Sequence, residues 1–317
     1  MKKIFSPLCL AWLMLTFALS SCEKVIEFDG DQTESYMVMI SKPNTENPWK
    51  VRLTESRFFL YNDTIATIKG ADVSIEVNGH TPNSIVTNQG NGMYNLNYTP
   101  QPGDSLTLHV SVAGKGTMTA GCRMPQRAVI SGLSCTYDTT HNTTDYYGSP
   151  IAYASGAVTA RLTIDDPANE DNYYILKVIE PTLEYNYLTR TYDTVYKRVY
   201  VTVEDNVLFD MSAVNEVFDP ESNDNTGYTI LFTDEHINGH SHTIAFNFNT
   251  YSIAEKSRYV EVYTLSRDRY LYEKTLQAAQ GQDVFTNLIS EPVQVHSNVT
   301  GGLGILGGAS IARVKLD

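Results

Sequence analysis

The segment Ala71-Asp72-Val73-Ser74-Ile75-Glu76-Val77 alternates polar and apolar residues and stops at Asn78-Gly79. Alternation at period two puts every apolar side chain on one face of a strand, and Asn-Gly supplies the left-handed turn of a tight hairpin. This stretch therefore pairs with a neighbour and buries one face. Residues 105–112 alternate again, and 36–40, 92–98 and 117–124 read as further short strands, with Pro102-Gly103-Asp104 as a turn. Short strands at regular spacing predict a sandwich over residues 35–125, immunoglobulin-like or transthyretin-like. After Gln126, strands read at 158–164, 173–179, 191–203, 229–232, 242–248 and 257–265, and the stretches 137–148 and 219–227 read as polar loops. One helix, 267–280, has Ser266 as its cap, Gly281 as its stop, and Leu271, Tyr272, Thr275, Leu276 and Ala279 on one face. The expected fold is all-β with that single short helix, in two β-sandwich-like domains at 35–125 and 126–317. The 21 tyrosines agree with strand. Acids outnumber bases by 36 to 23, giving a formal charge of −13, which excludes a nucleic-acid binder.

The N-terminus has a different logic. Lys2 and Lys3 precede an apolar run over 4–19 that ends at Leu19-Ser20-Ser21-Cys22. The run is short of the ~20 residues a membrane helix needs, and its shape is that of a secretory signal over residues 1–21. With cysteine at the cleavage point it resembles the lipobox of bacterial lipoproteins. That resemblance implies lipid on the thiol and amine of Cys22. One acyl chain holds a protein only marginally, and two or three hold it firmly. Removing Lys2 and Lys3 takes the charge from −13 to −15, so anionic headgroups repel the body and the lipid must do the mooring. Residues 22–34 read as a tether to the cell outer membrane. The acids just after the cysteine, Glu23, Glu27, Asp29 and Asp31, are interrupted by Val25, Ile26 and Phe28.

Four constellations carry chemical options. Gly302-Leu303-Gly304-Ile305-Leu306-Gly307 has the spacing of a dinucleotide loop. No helix follows it, so it reads as a tight turn or close backbone approach before a last strand. His236, His240 and His242, with Asp234 and Glu235, could gather a divalent metal, although Asn238-Gly239 between them reads as a hairpin tip. The acidic stretches 165–172 and 219–225 could offer calcium its usual about six to eight oxygens, or could be ordinary Asp/Asn turns. Tyr185, Tyr187, Tyr192, Tyr196 and Tyr200 form a ladder. It reads either as cross-strand packing or as an exposed platform for a glycan, peptide or protein. Cys122 and Cys135 either pair, a bridge worth about 3 kcal/mol, or stay as buried thiols. Thiolate zinc or iron–sulfur sites are excluded by cysteine number. No hydrolase elbow surrounds Ser241.

Several stretches together resemble one family. They are the lipobox, Ile164-Asp165-Asp166-Pro167 with Asn172-Tyr173-Tyr174, Leu231-Phe232-Thr233-Asp234 with Gly239, and the run from Ser297 to Gly307. Their order and spacing are similar to the Bacteroidota lipoproteins of domain-of-unknown-function family 4249. The family carries no established activity and no catalytic residues to transfer. Its members are often encoded near TonB-dependent outer-membrane transporters, which implies an accessory role. The expectation is a lipid-anchored, non-catalytic binding or scaffolding protein without a cofactor, whose partners are the membrane and a transporter or other envelope protein. The alternatives are a metal-assisted hydrolase using His236, His240 and His242, and a surface adhesin or assembly component.

Overall fold

The computed structural model describes residues 35–57, 64–83, 86–144, 150–209, 226–253, 256–281 and 293–316. The signal, Cys22 and the tether lie outside them, as does the whole acidic stretch 219–225. Among the described residues no helix is long and apolar enough to cross a membrane.

The first lobe holds β1 (Met37–Ser41), β2 (Lys50–Glu55), β3 (Asp72–Val77), β4 (Thr87–Gly90), β5 (Met93–Asn95), β6 (Ser105–Val112) and β7 (Gly116–Arg123). β3, β6 and β7 form one antiparallel sheet, while β1, β2, β5 and β4 belong to the facing one. Alternation does what it predicts. Val73, Ile75, Val77, Leu106, Leu108 and Val110 point inward against Met39, Val51 and Leu53. Trp49 fills the centre, and its indole N–H donates to Ser41 Oγ at 2.7 Å, which satisfies its one polar atom. The Pro102-Gly103-Asp104 turn closes on the Asp104 carboxylate. That carboxylate accepts from Tyr98 hydroxyl (2.7 Å), Gln101 N–H (2.8 Å) and Asn78 amide (2.9 Å). Burial alone would raise Asp104, but these donors together hold it below its ordinary value. Burial and the same carboxylate push Tyr98 up to about 12.

The second lobe holds β8 (Val129–Thr144), β9 (Pro150–Asp165), β10 (Tyr173–Asn186), β11 (Thr191–Val199), β12 (Val201–Val203), β13 (Thr226–Gly227), β14 (Ile230–Thr233), β15 (Ser241–Ile253), β16 (Tyr259–Leu265) and the helix α1 (Arg267–Gly281). One sheet runs β13-β12-β15-β9-β8. The other runs β11-β10-β16 and ends on β18 (Ala309–Lys315), with β14 also on β10. Leu162, Ile164, Leu176, Val178, Phe246 and Val260 pack between the two sheets. The helix lies on the outer face of the second sheet, over Ile175, Leu231 and Leu265, with Ser266 Oγ accepting from the Arg269 N–H at its start. Its deepest anchor is Tyr270, outside the expected face, stacked on Tyr173 at 4.6 Å.

Two expectations change here. Residues 137–144 are not loop but the far half of β8, paired with β9. And the division at residue 125 does not hold at the C-terminal end, because β17 (Leu303–Leu306) returns to the first lobe and pairs in parallel with β1. Residues Ser35–Asp317 are accordingly one compact unit. The glycine run is the passage between the lobes. At Gly304, φ is +119° and a Cβ would strike the Met39 carbonyl oxygen. At Gly307 it would meet Arg269 Cβ at 2.7 Å. The structural reading of this motif holds. Asn298 fixes the passage by accepting from Leu306 N–H at 2.9 Å and donating to Leu306 O at 2.9 Å.

Candidate functional site

The five tyrosines of the ladder occupy two places. β10 pairs with β16 only as far as Ile179, so its remainder and β11 continue as a two-stranded hairpin. Tyr185 lies directly opposite Tyr192 in the register, and Tyr196 opposite Pro181, so all three share the outer face. The rings of Tyr185 and Tyr192 meet at 5.2 Å, Tyr187 adds an edge contact to Tyr185 at 5.0 Å, and Tyr196 reaches Tyr259 at 6.0 Å. The rings therefore do pair across strands, as the packing reading expects, yet they remain in water. Tyr187 is 85% exposed and Leu188 at the tip 96%. At the base of this face Lys177 lies over the Tyr263 ring at 4.0 Å. Burial, together with the charges of Arg198 and Arg269, brings Lys177 down to about 8.

Tyr200 belongs elsewhere. It is the residue at which the chain leaves one sheet at Val199 and enters the other at Val201. Its ring meets Tyr228 edge-to-face at 5.4 Å and 85°. This pair walls an open groove of about 600 Å³, with Tyr251 also on its lining. The floor is the outward face of β15 and its neighbours, where Thr202, Asn247 and Thr159 stand in one cross-strand row. Asn249 and Ala157 form the next row. The Glu180 carboxylate closes one end, already engaged by Thr250 Oγ1 (2.6 Å) and Tyr251 N–H (3.2 Å). Tyr228 and Tyr251 were not in the ladder. Their sequence signal is weak, since each is a single tyrosine beside polar residues.

The other candidates are absorbed by the fold. His242 Nε2 is 2.6 Å from Asp205 Oδ2, His240 Nδ1 is 2.8 Å from Asn238 O, and His236 is exposed. Among the described residues no three metal-ligating side chains gather, so the proposed histidine set is not assembled. The stretch 165–172 is a tied turn. The buried Asp166 accepts from Tyr174 hydroxyl at 2.6 Å and Gly239 N–H at 3.0 Å. Asp234 accepts from Asn172 N–H at 2.9 Å and Asn238 amide at 3.1 Å. Donors occupy both Asp166 oxygens and Asp234 Oδ2. Burial, with the Asp166 charge, raises Asp234 above its ordinary value. The cysteine bridge does not form. Cys122 packs against the first core and Cys135 against the second, both as free thiols. Burial pushes Cys122 up to about 12, while Cys135 Sγ donates to Leu316 O at 3.0 Å.

The sequence matches the domain of unknown function DUF4249 over residues 23–315. The chain belongs to this family. The family-like stretches now have structural roles in this DUF4249 chain: the Asp166–Tyr174 and Asp234–Asn172 ties, and the glycine passage beside β1. No curated protein matches it. Among solved structures, the collagen adhesin of S. aureus aligns over 89% of this chain and 96% of its own, at 12% identity and a TM-score of 0.18. So loose an alignment carries no argument about the DUF4249 chain.

Proposed function

We propose that this protein is a non-catalytic binding component of the cell envelope, moored by lipid on Cys22 and presenting its tyrosine-rich second lobe to a partner. The observation that carries this reading is the hairpin. A two-stranded ribbon is marginal on its own, and at its tip Tyr187, apart from its edge contact with Tyr185, and Leu188 stand in water. Large apolar groups collected at a protruding end fit a contact surface. The carboxylates that could serve an enzyme support the same reading, since Asp166, Asp234 and Asp205 are each tied into hydrogen bonds that hold turns. A TonB-dependent transporter is the partner implied by the family resemblance.

The test has two parts. Mass spectrometry of the N-terminal peptide should find Cys22 acylated, and a bare peptide removes the mooring. Capture from solubilised outer membranes should recover a transporter with the native chain and lose it with Tyr187→Ala/Leu188→Ala. Equal recovery by that variant, or none by either, overturns the role of the hairpin.

A further inference from the structure

We propose that the groove walled by Tyr200, Tyr228 and Tyr251 binds an oligosaccharide. The inference rests on the binding-protein reading above and gives this groove a ligand class of its own, separate from the hairpin.

The chemistry of the lining selects the class. Tyr200 is 51% exposed, Tyr228 58% and Tyr251 72%, so flat ring surface is offered to water on two sides of the groove. An edge-to-face pair leaves both faces of the edge-on ring uncovered, and an aromatic face receives the C–H surface of a pyranose. Between the rings lies a floor of neutral hydrogen-bonding groups, with the opposite charges Glu180 and Arg198 also on the lining. The Asn247 amide donates to Glu204 at 2.7 Å and keeps its oxygen free to accept. Asn249 is exposed with no side-chain partner among the described residues, and Thr159 and Thr202 add hydroxyls. Ala157 keeps the middle of the floor low. From Asn247 to Tyr251 the strand advances roughly 13 Å, a length that suits a short oligosaccharide better than one sugar ring.

Other occupants fit less well. β15 pairs with β9 along its whole length and with β12 over Phe246–Phe248, and beyond β12 the Tyr251 N–H is already taken by Glu180, which leaves a peptide little free edge for strand addition. A compact apolar ligand needs an enclosed apolar pocket, and this groove is open with a polar floor. What remains is a ligand that pairs flat apolar faces with a fringe of hydroxyls.

The test uses the full chain in a detergent without a sugar headgroup, titrated calorimetrically with a panel of neutral linear hexasaccharides. At least one should bind with a dissociation constant between about 1 μM and 1 mM. Tyr228→Ala and Tyr251→Ala should each weaken it about tenfold, the worth of one lost stacking contact. Tyr228→Phe, which keeps the ring, should stay within about threefold. Both positions are exposed, so unchanged melting of the alanine variants establishes that the fold is intact. No binding to any panel member at about 10 mM overturns the inference, as does binding that survives both alanine substitutions. Tyr187→Ala/Leu188→Ala should bind sugar normally. Loss of sugar binding there places the ligand on the hairpin and also overturns the groove. If sugars fail while transporter capture persists, this inference falls and the binding-protein reading stands.

Discussion

Substituting Tyr174 by Phe isolates one interaction at the heart of the second lobe. The ring is 1% exposed and stacks on Phe232 at 5.3 Å, contacts that phenylalanine preserves. Only the hydroxyl is lost, and with it the 2.6 Å bond to Asp166. Asp166 is itself buried and keeps a single other donor, the Gly239 N–H at 3.0 Å. A hydrogen bond to a charged group contributes about 1.5–3 kcal/mol, and the oxygen left without its donor belongs to a buried carboxylate. The expected loss is therefore about 2 kcal/mol, read from urea unfolding by circular dichroism, with a fall in melting midpoint of roughly 4–8 °C. In an Asp166→Asn background the same substitution should cost only about 0.5–1.5 kcal/mol, because the remaining bond is between neutral groups. A Tyr174→Phe chain within about 0.5 kcal/mol of the native one would refute the claim that this carboxylate ties the turn.

Asp166→Asn should also bring Asp234 down toward its ordinary value in a carboxyl NMR titration, since it removes a neighbouring like charge. The sign for Asp234 is that of a raised acid: its contribution to stability grows as pH falls through its folded value. Asp104 has the opposite sign, because its folded value is depressed. Its contribution is present above the unfolded value of 3.8 and is lost as pH falls through the folded one. Asp104→Asn should cost about 1.5–3 kcal/mol at neutral pH, with the gap to the native chain closing in acid denaturation. Gly304→Ala should destabilise by more than about 3 kcal/mol or abolish soluble protein, because the Met39 carbonyl it would strike is fixed in the sheet. Alkylation of the unreduced, denatured chain should label both Cys122 and Cys135, and in the native chain Cys122 should react slowly.

Local pattern reached a good part of this fold. Residues 105–112 were read with the bounds that β6 shows, and 71–77 and 117–124 fall within a residue of β3 and β7. All three alternate because one face is buried and the other wet. β2 is absent from the strands read in the sequence, although Val51 and Leu53 alternate with Lys50 and Arg52 and Asn47-Pro48 marks a turn before it. The far half of β8 looks like a loop because Thr, Asn and Asp hold it, and its pairing with β9 is what makes it strand. The sequence marks the tyrosine ladder but not the sheet change at Tyr200, since that depends on which strands Val199 and Val201 join. Tyr228 and Tyr251 come to the groove from 28 and 51 residues further along the chain, a nearness that only tertiary structure creates. The choice between bridge and free thiols at Cys122 and Cys135 stays open in the sequence for the same reason: a short interval along the chain separates two cores in space.

The parallel partnership of β1 with β17 also bears on how the chain comes to be folded. A polypeptide delivered N-terminus first presents Met37–Ser41 long before Leu303–Leu306 exists to flank it. Until then the first lobe carries an open edge, ready to accept the wrong neighbour. Joining the two ends of so long a chain is also slow by topology alone. Maturation should therefore conclude only after synthesis is complete, and until then one five-residue strand stands open to unwanted company.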